Sequence, residues 1–364
     1  MRVAGIMSGT SLDGIDVAIV DIKGKAVTSI GHGTVPYSDE TRRRILAVSN
    51  TQCQTADISR LNFDLGELYA KAVRTICRYN KLELETIELI GCHGQTIYHE
   101  GTNTLQIGEA SVIAERLEIP VVSDFRTRDI AAGGHGAPLV PFVDDLLFRS
   151  PKLHRVALNI GGISNITVLS DARVIAFDTG PGNMVMDQLV ALMTNGRERF
   201  DRKGNIAARG KVNQELLDSL LENPYYQASP PKTAGREQYG SQFIAKLTET
   251  GLPLKDLIAT ATSFTAATIA TAIERFAPQT DEVIASGGGI HNVQLMAQLT
   301  ALLPSARLTT TAEFGVDPDA KEAIAFAILA YRTWKRESGN LPSATGARYP
   351  VILGKLSPTL KPVF

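Results

Sequence analysis

The chain has 364 residues, is 44% hydrophobic and sets 37 basic against 38 acidic side chains, for a net charge of −1. That length suits two domains or one large bilobal unit. The near-neutral balance argues against nucleic acid and anionic membrane partners, both of which reward clustered positive charge. Three cysteines (Cys53, Cys77, Cys92) form no CxxC pair and fit a reduced, cytoplasmic protein better than a disulfide scaffold. The first residues, "MRVAGIMSGT", lack the basic stretch and long apolar run of a signal peptide. Apolar runs elsewhere are broken by Thr, Ser, Glu or Gly short of the roughly 18 residues a spanning helix needs.

In chain order, "RVAGIM" reads as a short buried strand, followed by the strand-like runs "IDVAIVDIKG" and "KAVTSIGHGTVPY" with Gly-containing turns between them. Helical patterns follow over Asp39 to Ser49 and Ala56 to Tyr79. In the second, Ile58, Leu61, Leu65, Leu68, Ala72 and Ile76 keep the 3-and-4 spacing of one helix face. "IELIGCHGQT" and "IPVVSDFRTRD" are strands that end in polar turns, with the helix "ASVIAERL" between them. A second block opens near Arg155: "RVALNIGGISNITVL" is a strand, a Gly-Gly turn and a strand, and "RVIAFDTGPGN" is a third strand with a polar end. Helices follow at "MVMDQLVALM", at roughly Ser241 to Thr250 and at Leu254 to Phe276. "DEVIASGGGIHN" is one more strand-to-glycine junction, and "DAKEAIAFAILAYRTWKRE" is the last long helix. "ERFDRKGNIAARG" and "NPYYQASPPKTAGRE" read as surface loops from their Gly, Pro and polar content.

The same theme therefore runs twice, from Arg2 and from Arg155: three strands in quick succession, then helices interspersed with strands. Close-set strands predict antiparallel hairpins, and the later helix–strand alternation predicts parallel additions, so each half is expected to hold a mixed α/β sheet. The expected lobes are residues 1–150 and 151–364, with the C-terminal end packing back on the first lobe as a variant of that division.

Three small-residue turns fall at strand ends: "MSGTSLDG", "NIGGISN" and "SGGGIHN". Glycine permits close backbone approach, so such loops can aim several N–H groups at one anion. Ser8, Thr10, Ser11 and Ser164 add hydroxyls. A carboxylate beside such a loop, Asp13 or Asp16, repels phosphate unless a divalent cation lies between, which points to a Mg²⁺-nucleotide. No GxxxxGK[ST], no GxGxxG opening a helix, no HExxH and no zinc-type Cys/His spacing is present. Any one glycine loop is as well explained by a plain tight turn; two in matching positions of two halves favour phosphate.

The strings "MSGTSLDGID", "GCHGQTIYH", "DFRTRDIAAGGHGAPLVP", "LNIGGISN", "FDTGPGN" and "SGGGIHN", in this order over nearly the whole chain, resemble the anhydro-N-acetylmuramic acid kinase family. The resemblance implies a duplicated two-lobed actin/hexokinase-like (ribonuclease H-like) α/β fold with an interdomain nucleotide cleft, ATP with Mg²⁺, a homodimer and a place in peptidoglycan recycling. It implies that water cleaves the 1,6-anhydro ring of anhydro-N-acetylmuramic acid while ATP phosphorylates O6, giving N-acetylmuramic acid 6-phosphate. A kinase for another sugar and a non-catalytic actin-like scaffold are the competing readings. In the wider group an Asp stands three residues before the loop Thr; here Met7 occupies that place, and Asp13 enters as the metal ligand on the family match alone.

On this reading Asp178, at the end of an apolar strand, is the base that takes a proton from the attacking water. Gly180, Gly182 and Asn183 shape the turn after it, with Asn183 as a helix N-cap. Phosphates are expected against Ser8, Gly9, Thr10, Ser11, Asp13 and Gly14 on one side and Gly161, Gly162 and Ser164 on the other. Gly287, Gly288 and Gly289 either admit the adenosine or simply turn the chain into a helix. Sugar contacts are expected from His93, Gln95, Thr96, Arg126, Asp129 and Glu322, with Arg126 facing the lactyl carboxylate. His93 reads equally as a satisfied structural histidine, and Glu322 as a solvated helix-start residue. "AAGGHGAP" is either a hinge or a sugar loop.

Overall fold

The computed structural model describes residues 1–9, 12–24, 26–170 and 173–360, and all side chains within them except that of residue 236. The chain divides into two compact units, 1–147 with 315–364, and 148–314. Residues 315–364 group with the first unit, as in the variant of the expected division that returns the C-terminal end to the first lobe.

Within the first unit the strands are β1 (Arg2–Ser8), β2 (Gly14–Lys23), β3 (Ala26–Pro36), β4 (Leu89–His99), β5 (Thr104–Ile107) and β6 (Val121–Ser123). β1, β2 and β3 form antiparallel neighbours; β4 adds parallel to β1, and β6 adds parallel to β4. Two short strands went unforeseen in the sequence. β5 pairs antiparallel with the end of β4, and Lys355–Ser357 pairs antiparallel with β6. Each is too short to display an alternation.

The helix Lys321–Trp334 lies against this sheet at two glycines. A Cβ on Gly5 would fall 1.8 Å from the Ala323 carbonyl oxygen, and one on Gly91 2.2 Å from that of Phe326. Glycine lets the helix backbone touch the strands, and Phe125, Phe326 and Leu329 fill the layer around the contact. On the other face, the helix Thr55–Tyr79 buries Leu61, Leu65, Ala72 and Ile76, with Ile58 and Leu68 partly buried beside them. That is the face its spacing predicted, and each such large side chain contributes about 1.5–3 kcal/mol.

The second unit repeats the plan with β7 (Arg155–Ile160), β8 (Ile163–Leu169), β9 (Val174–Pro181), β10 (Glu282–Ser286) and β11 (Arg307–Thr310). β7, β8 and β9 are antiparallel neighbours, β10 adds parallel to β7, and β11 adds parallel to β10. Both units therefore share one strand order and one set of directions, the ribonuclease H-like arrangement. The helix Leu254–Phe276 is long and apolar enough to cross a membrane, against the expectation that no run would be. It is the core helix of this unit, with 78% of its most apolar window buried. Phe264, Ile269 and Ile273 pack among the strands and the helix Met184–Met193.

Candidate active site

In the first unit the β1–β2 connection spans 9–13 and β4 runs beside its root. Ser8 is buried, and its hydroxyl lies 2.8 Å from the Tyr37 hydroxyl and donates to Gln95 Oε1 at 2.5 Å. Gln95, also buried, returns its amide N–H groups to the carbonyls of Gly9 and Thr96. Burial pushes the Tyr37 phenol up to about 12, so it stays protonated in this network. Arg42, which sequence reasoning missed, donates to the carbonyls of Leu12 (2.9 Å) and Asp13 (3.4 Å) and braces the far side of the loop.

These contacts give three of the expected site residues structural roles. Ser8 and Gln95 are partners of one another. Gly14 is needed for strand pairing, since a Cβ there would sit 2.6 Å from the Val35 carbonyl oxygen. Gly9 and Asp13 remain at the loop; Thr10 and Ser11 lie outside the described residues.

The arginine and histidine form one device. Register slips on β4 opposite the end of β1, and Gly94 there takes φ +77°. His93 Nε2 accepts from Arg126 Nε (3.0 Å) and Nη2 (2.8 Å), while Nδ1 lies 2.8 Å from the Gly94 carbonyl. Only the Nδ1–H tautomer satisfies both sides. Burial, then the adjacent guanidinium, holds His93 well below its usual range, so it is neutral. It is 3% exposed with both nitrogens engaged, which makes it a support for Arg126 in place of the expected sugar contact.

Burial lowers Arg126 to about 10, opposed by Glu322 and Asp129, so it stays a cation at neutral pH. Its Nη1 also donates to the Gly136 carbonyl (2.8 Å), leaving only the other Nη hydrogens for a ligand. Thr96 is half-buried and its hydroxyl accepts from Gln106 (3.2 Å), which leaves its own proton to give.

Asp129 is 0% exposed. Its carboxylate accepts from the Gly136 N–H (2.8 Å), Asn340 (2.6 Å) and Thr345 (2.7 Å), so it ties the segment around 340–345 to the "AAGGHGAP" loop, a structural role where a sugar contact was expected. Glu322 is not a solvated helix-start residue. It is half-buried, and burial raises its carboxyl, with Asp16 adding to the rise while Lys321 and Arg126 oppose it. Beside it Lys321 and Asp144 form a buried pair at 2.7 Å.

In the second unit the β7–β8 turn is the two residues Gly161 and Gly162. The chain after β9 locks onto it: Gly182 and Met184 N–H donate to the Gly162 carbonyl, and Asn183 N–H to that of Gly161. A Cβ on Gly182 would lie 2.2 Å from the Gly161 carbonyl oxygen. Asn183 begins the helix Met184–Met193 without a side-chain cap, because its amide reaches for the Ile160 carbonyl at 3.4 Å. Ser164 is 0% exposed, its hydroxyl 2.5 Å from that of Thr179, so the expected phosphate donor is a strand-to-strand tie.

Gly287 takes φ +83° and Gly289 abuts Ile160, which are structural needs. Gly161, Gly162 and Gly288 differ: a Cβ on any of them would meet nothing closer than 3.4 Å. Three open glycines thus border one patch of backbone at the ends of β7 and β10.

Asp178 stands just before a register slip between β8 and β9, the kind of bulge that re-aims a side chain. Its Oδ2 accepts from the Ala234 N–H at 2.9 Å. Burial pushes its carboxyl up to about 6, the Ala234 bond opposes this, and Glu237 adds to the rise. A carboxylate with a pKa near neutrality is suited to accept a proton.

For a divalent cation, Asp13 and Asp16 are the acids at the turn end of the first hairpin. Burial raises the Asp16 carboxyl; the Thr34 hydroxyl bonded to it opposes the rise, and Asp13 and Asp319 add to it. A cation there would relieve that repulsion. Among the described residues no set of three acidic, His or Cys side chains forms a cage.

Two units of one strand order, each headed by a small-residue hairpin, define a duplicated α/β protein of the actin–hexokinase class. The family model for anhydro-N-acetylmuramic acid kinase matches residues 1–359. The anhydro-N-acetylmuramic acid kinase of Caldanaerobacter subterraneus subsp. tengcongensis is 44% identical, over 98% of this chain and 96% of that protein. An enzyme of the same name from Bacillus cereus is 43% identical, over 98% of this chain and 99% of that protein. Solved structures are more distant: the activator of the 2-hydroxyisocaproyl-CoA dehydratase from Clostridium difficile with bound ADPNP gives a TM-score of 0.48 at 12% identity, covering 92% of this chain and 96% of that one. The chain belongs to the anhydro-N-acetylmuramic acid kinase family, and is thereby a kinase.

Proposed function

We propose that this kinase takes anhydro-N-acetylmuramic acid, water and ATP to N-acetylmuramic acid 6-phosphate and ADP. Asp178 accepts a proton from water as its oxygen attacks the anomeric carbon. The bond from that carbon to the bridging oxygen breaks, and the oxygen, now O6, takes the γ-phosphoryl group. Phosphoryl capture of the developing alkoxide replaces the acid that a glycoside hydrolase would use. The observation that carries this reading is the Asp178 carboxylate: fixed by a backbone N–H at a strand bulge and raised to about 6.

In the second unit Gly161 and Gly162 serve the phosphates and Gly288 the adenosine, supported by the open backbone above them. In the first unit Gly9 and Asp13 serve the phosphates, and Asp13 would hold a Mg²⁺ that, when bound, would neutralise charge on the transferring group. Arg126, aligned by His93, takes the lactyl carboxylate, with Thr96 and Glu322 as the further sugar contacts. The protein works as a cytoplasmic homodimer, the compartment supported by three free cysteines, one of them exposed.

The test is product formation from the anhydro sugar with and without ATP, beside N-acetylmuramic acid and glucose. ATP-dependent phosphorylation of the anhydro sugar is expected. Rapid ring opening without ATP would remove the coupling of the two steps, and turnover on glucose alone would remove the substrate.

A further inference from the structure

The run Asn223–Glu237 reads from its composition as a surface loop, yet its interior is wrapped around one residue. Tyr225 donates its hydroxyl to the Asp178 carbonyl at 2.7 Å. The Asp178 N–H donates to the Lys232 carbonyl at 3.2 Å, and the Ala234 N–H donates to Asp178 Oδ2 at 2.9 Å. The N–H, the carbonyl and the carboxylate of Asp178 are thus each held by the same short segment. None of these bonds belongs to the β8–β9 ladder.

The segment is itself fastened. Lys232 folds back so that its ammonium donates to the Tyr225 carbonyl at 3.0 Å, and it lies 4.8 Å from the Tyr225 ring centroid, 5.4 Å from that of Phe177 and 5.7 Å from that of Phe276. A cation over several aromatic faces is attracted by their quadrupoles, more strongly as water is excluded. Tyr226, 5% exposed, anchors the segment in the core and shares a 2.6 Å hydrogen bond with the Tyr239 hydroxyl.

We propose that residues 223–234 form a strap that positions Asp178, with Tyr225 and Lys232 as the positioning residues. This rests on Asp178 being the base. The strap fixes where the carboxylate points through its backbone, and it covers Oδ2, so that Oδ1 is the oxygen offered to water. A base displaced by about 1 Å can lose on the order of 10²-fold in rate, so the strap acts on the proton-transfer step and not on binding.

Two variants test it. Tyr225→Phe keeps the ring over Lys232 and removes one donor; Lys232→Met keeps the aliphatic stem among the rings and removes the cation. The groups that bear on the Asp178 charge are Glu237, Tyr225 and Tyr239, and neither variant alters the first or the last. Tyr225→Phe is expected to lower kcat about tenfold with both KM values within about twofold, an intermediate misplacement on the scale above. Lys232→Met is expected to lower kcat at least as far. It should also move the acid limb of kcat below the wild-type one, because loosening the strap admits water and burial is the larger influence on Asp178. Unchanged kcat in both variants overturns the strap. So does a fall in kcat that tracks only a lower Tm, with the acid limb of Lys232→Met unmoved. Asp178→Asn, run alongside, separates the two ideas: if it keeps turnover, the assignment of the base fails; if it loses turnover while both strap variants behave as wild type, only the strap fails.

Discussion

The two units share a strand order but use their polar residues differently. The first collects its charges in a connected interior: His93 fixes Arg126, Gly136 joins Arg126 to Asp129, and Asp129 reaches Asn340 and Thr345. The second buries Glu282 between Arg155 and Arg307, holds the Asp178 carboxylate by a loop N–H, and leaves open space above the glycines of its first turn. Duplication therefore supplies two equivalent sheet ends, and the proposed function assigns sugar recognition to one and the reaction centre to the other. Both exploit a register slip to aim their residue, at β4 in one and at β9 in the other.

The largest expected effect breaks the second unit. Asp178→Asn should lose product formation by ~10²–10⁴-fold, the usual contribution of a positioned base, with ATP affinity kept in an equilibrium binding assay. Near-normal turnover would end the contrast drawn between the units. Next, Arg126→Lys removes the two bonds to His93. It should raise KM for the sugar by roughly 10- to 100-fold, from the 1.5–3 kcal/mol typical of charge-assisted bonds, and leave the nucleotide KM alone. An equal rise in both would show that the first unit does not recognise the sugar separately.

A pair of glycines sharpens the comparison further. Gly5→Ala drives a methyl into the Ala323 carbonyl and should cost about 1–3 kcal/mol in denaturant unfolding, as overpacking does. Gly161→Ala meets nothing within 3.5 Å and should leave stability within about 0.5 kcal/mol, as an unconstrained site does. It should instead weaken nucleotide binding. A stability loss at Gly161 without a binding loss would make that turn merely structural.

The smallest effect is in pH. Asp178 must be ionised to accept a proton, and its pKa is about 6, so activity should fall as pH drops through 6. His93 is held neutral and Arg126, near 10, stays charged, so neither of these two should add a further limb between about pH 6 and 9. An additional limb there that vanishes in a His93 variant would contradict the tautomer assignment.

Much of this molecule is legible in its sequence. The Gly-Gly turn after "RVALNI" and the helix face of Leu61, Leu65 and Ile76 follow from period and from turn chemistry, which neighbours in sequence decide; the strand expected to end at Asp178 instead runs on to Pro181, because Gly180 and Pro181 still pair with β8. The strap on Asp178 was hidden by its composition, since Pro, Ser and Gly announce a loop and say nothing of what the loop touches. Two adjacent tyrosines inside a polar loop were the available signal, because rings of that size seek burial.

Which polar side chains are free for a ligand was decided only by the tertiary structure. Ser8, Gln95, His93, Asp129 and Ser164 sit in motif-like strings and look like ligands. Each instead meets a protein partner, and Asp129 finds Asn340 across 211 residues. The physical reason is that a buried donor or acceptor must be satisfied wherever the fold brings it. Periodicity and turn chemistry determined the two sheets and their glycine hairpins; the packing of distant strands and loops determined which charges remain to meet a substrate.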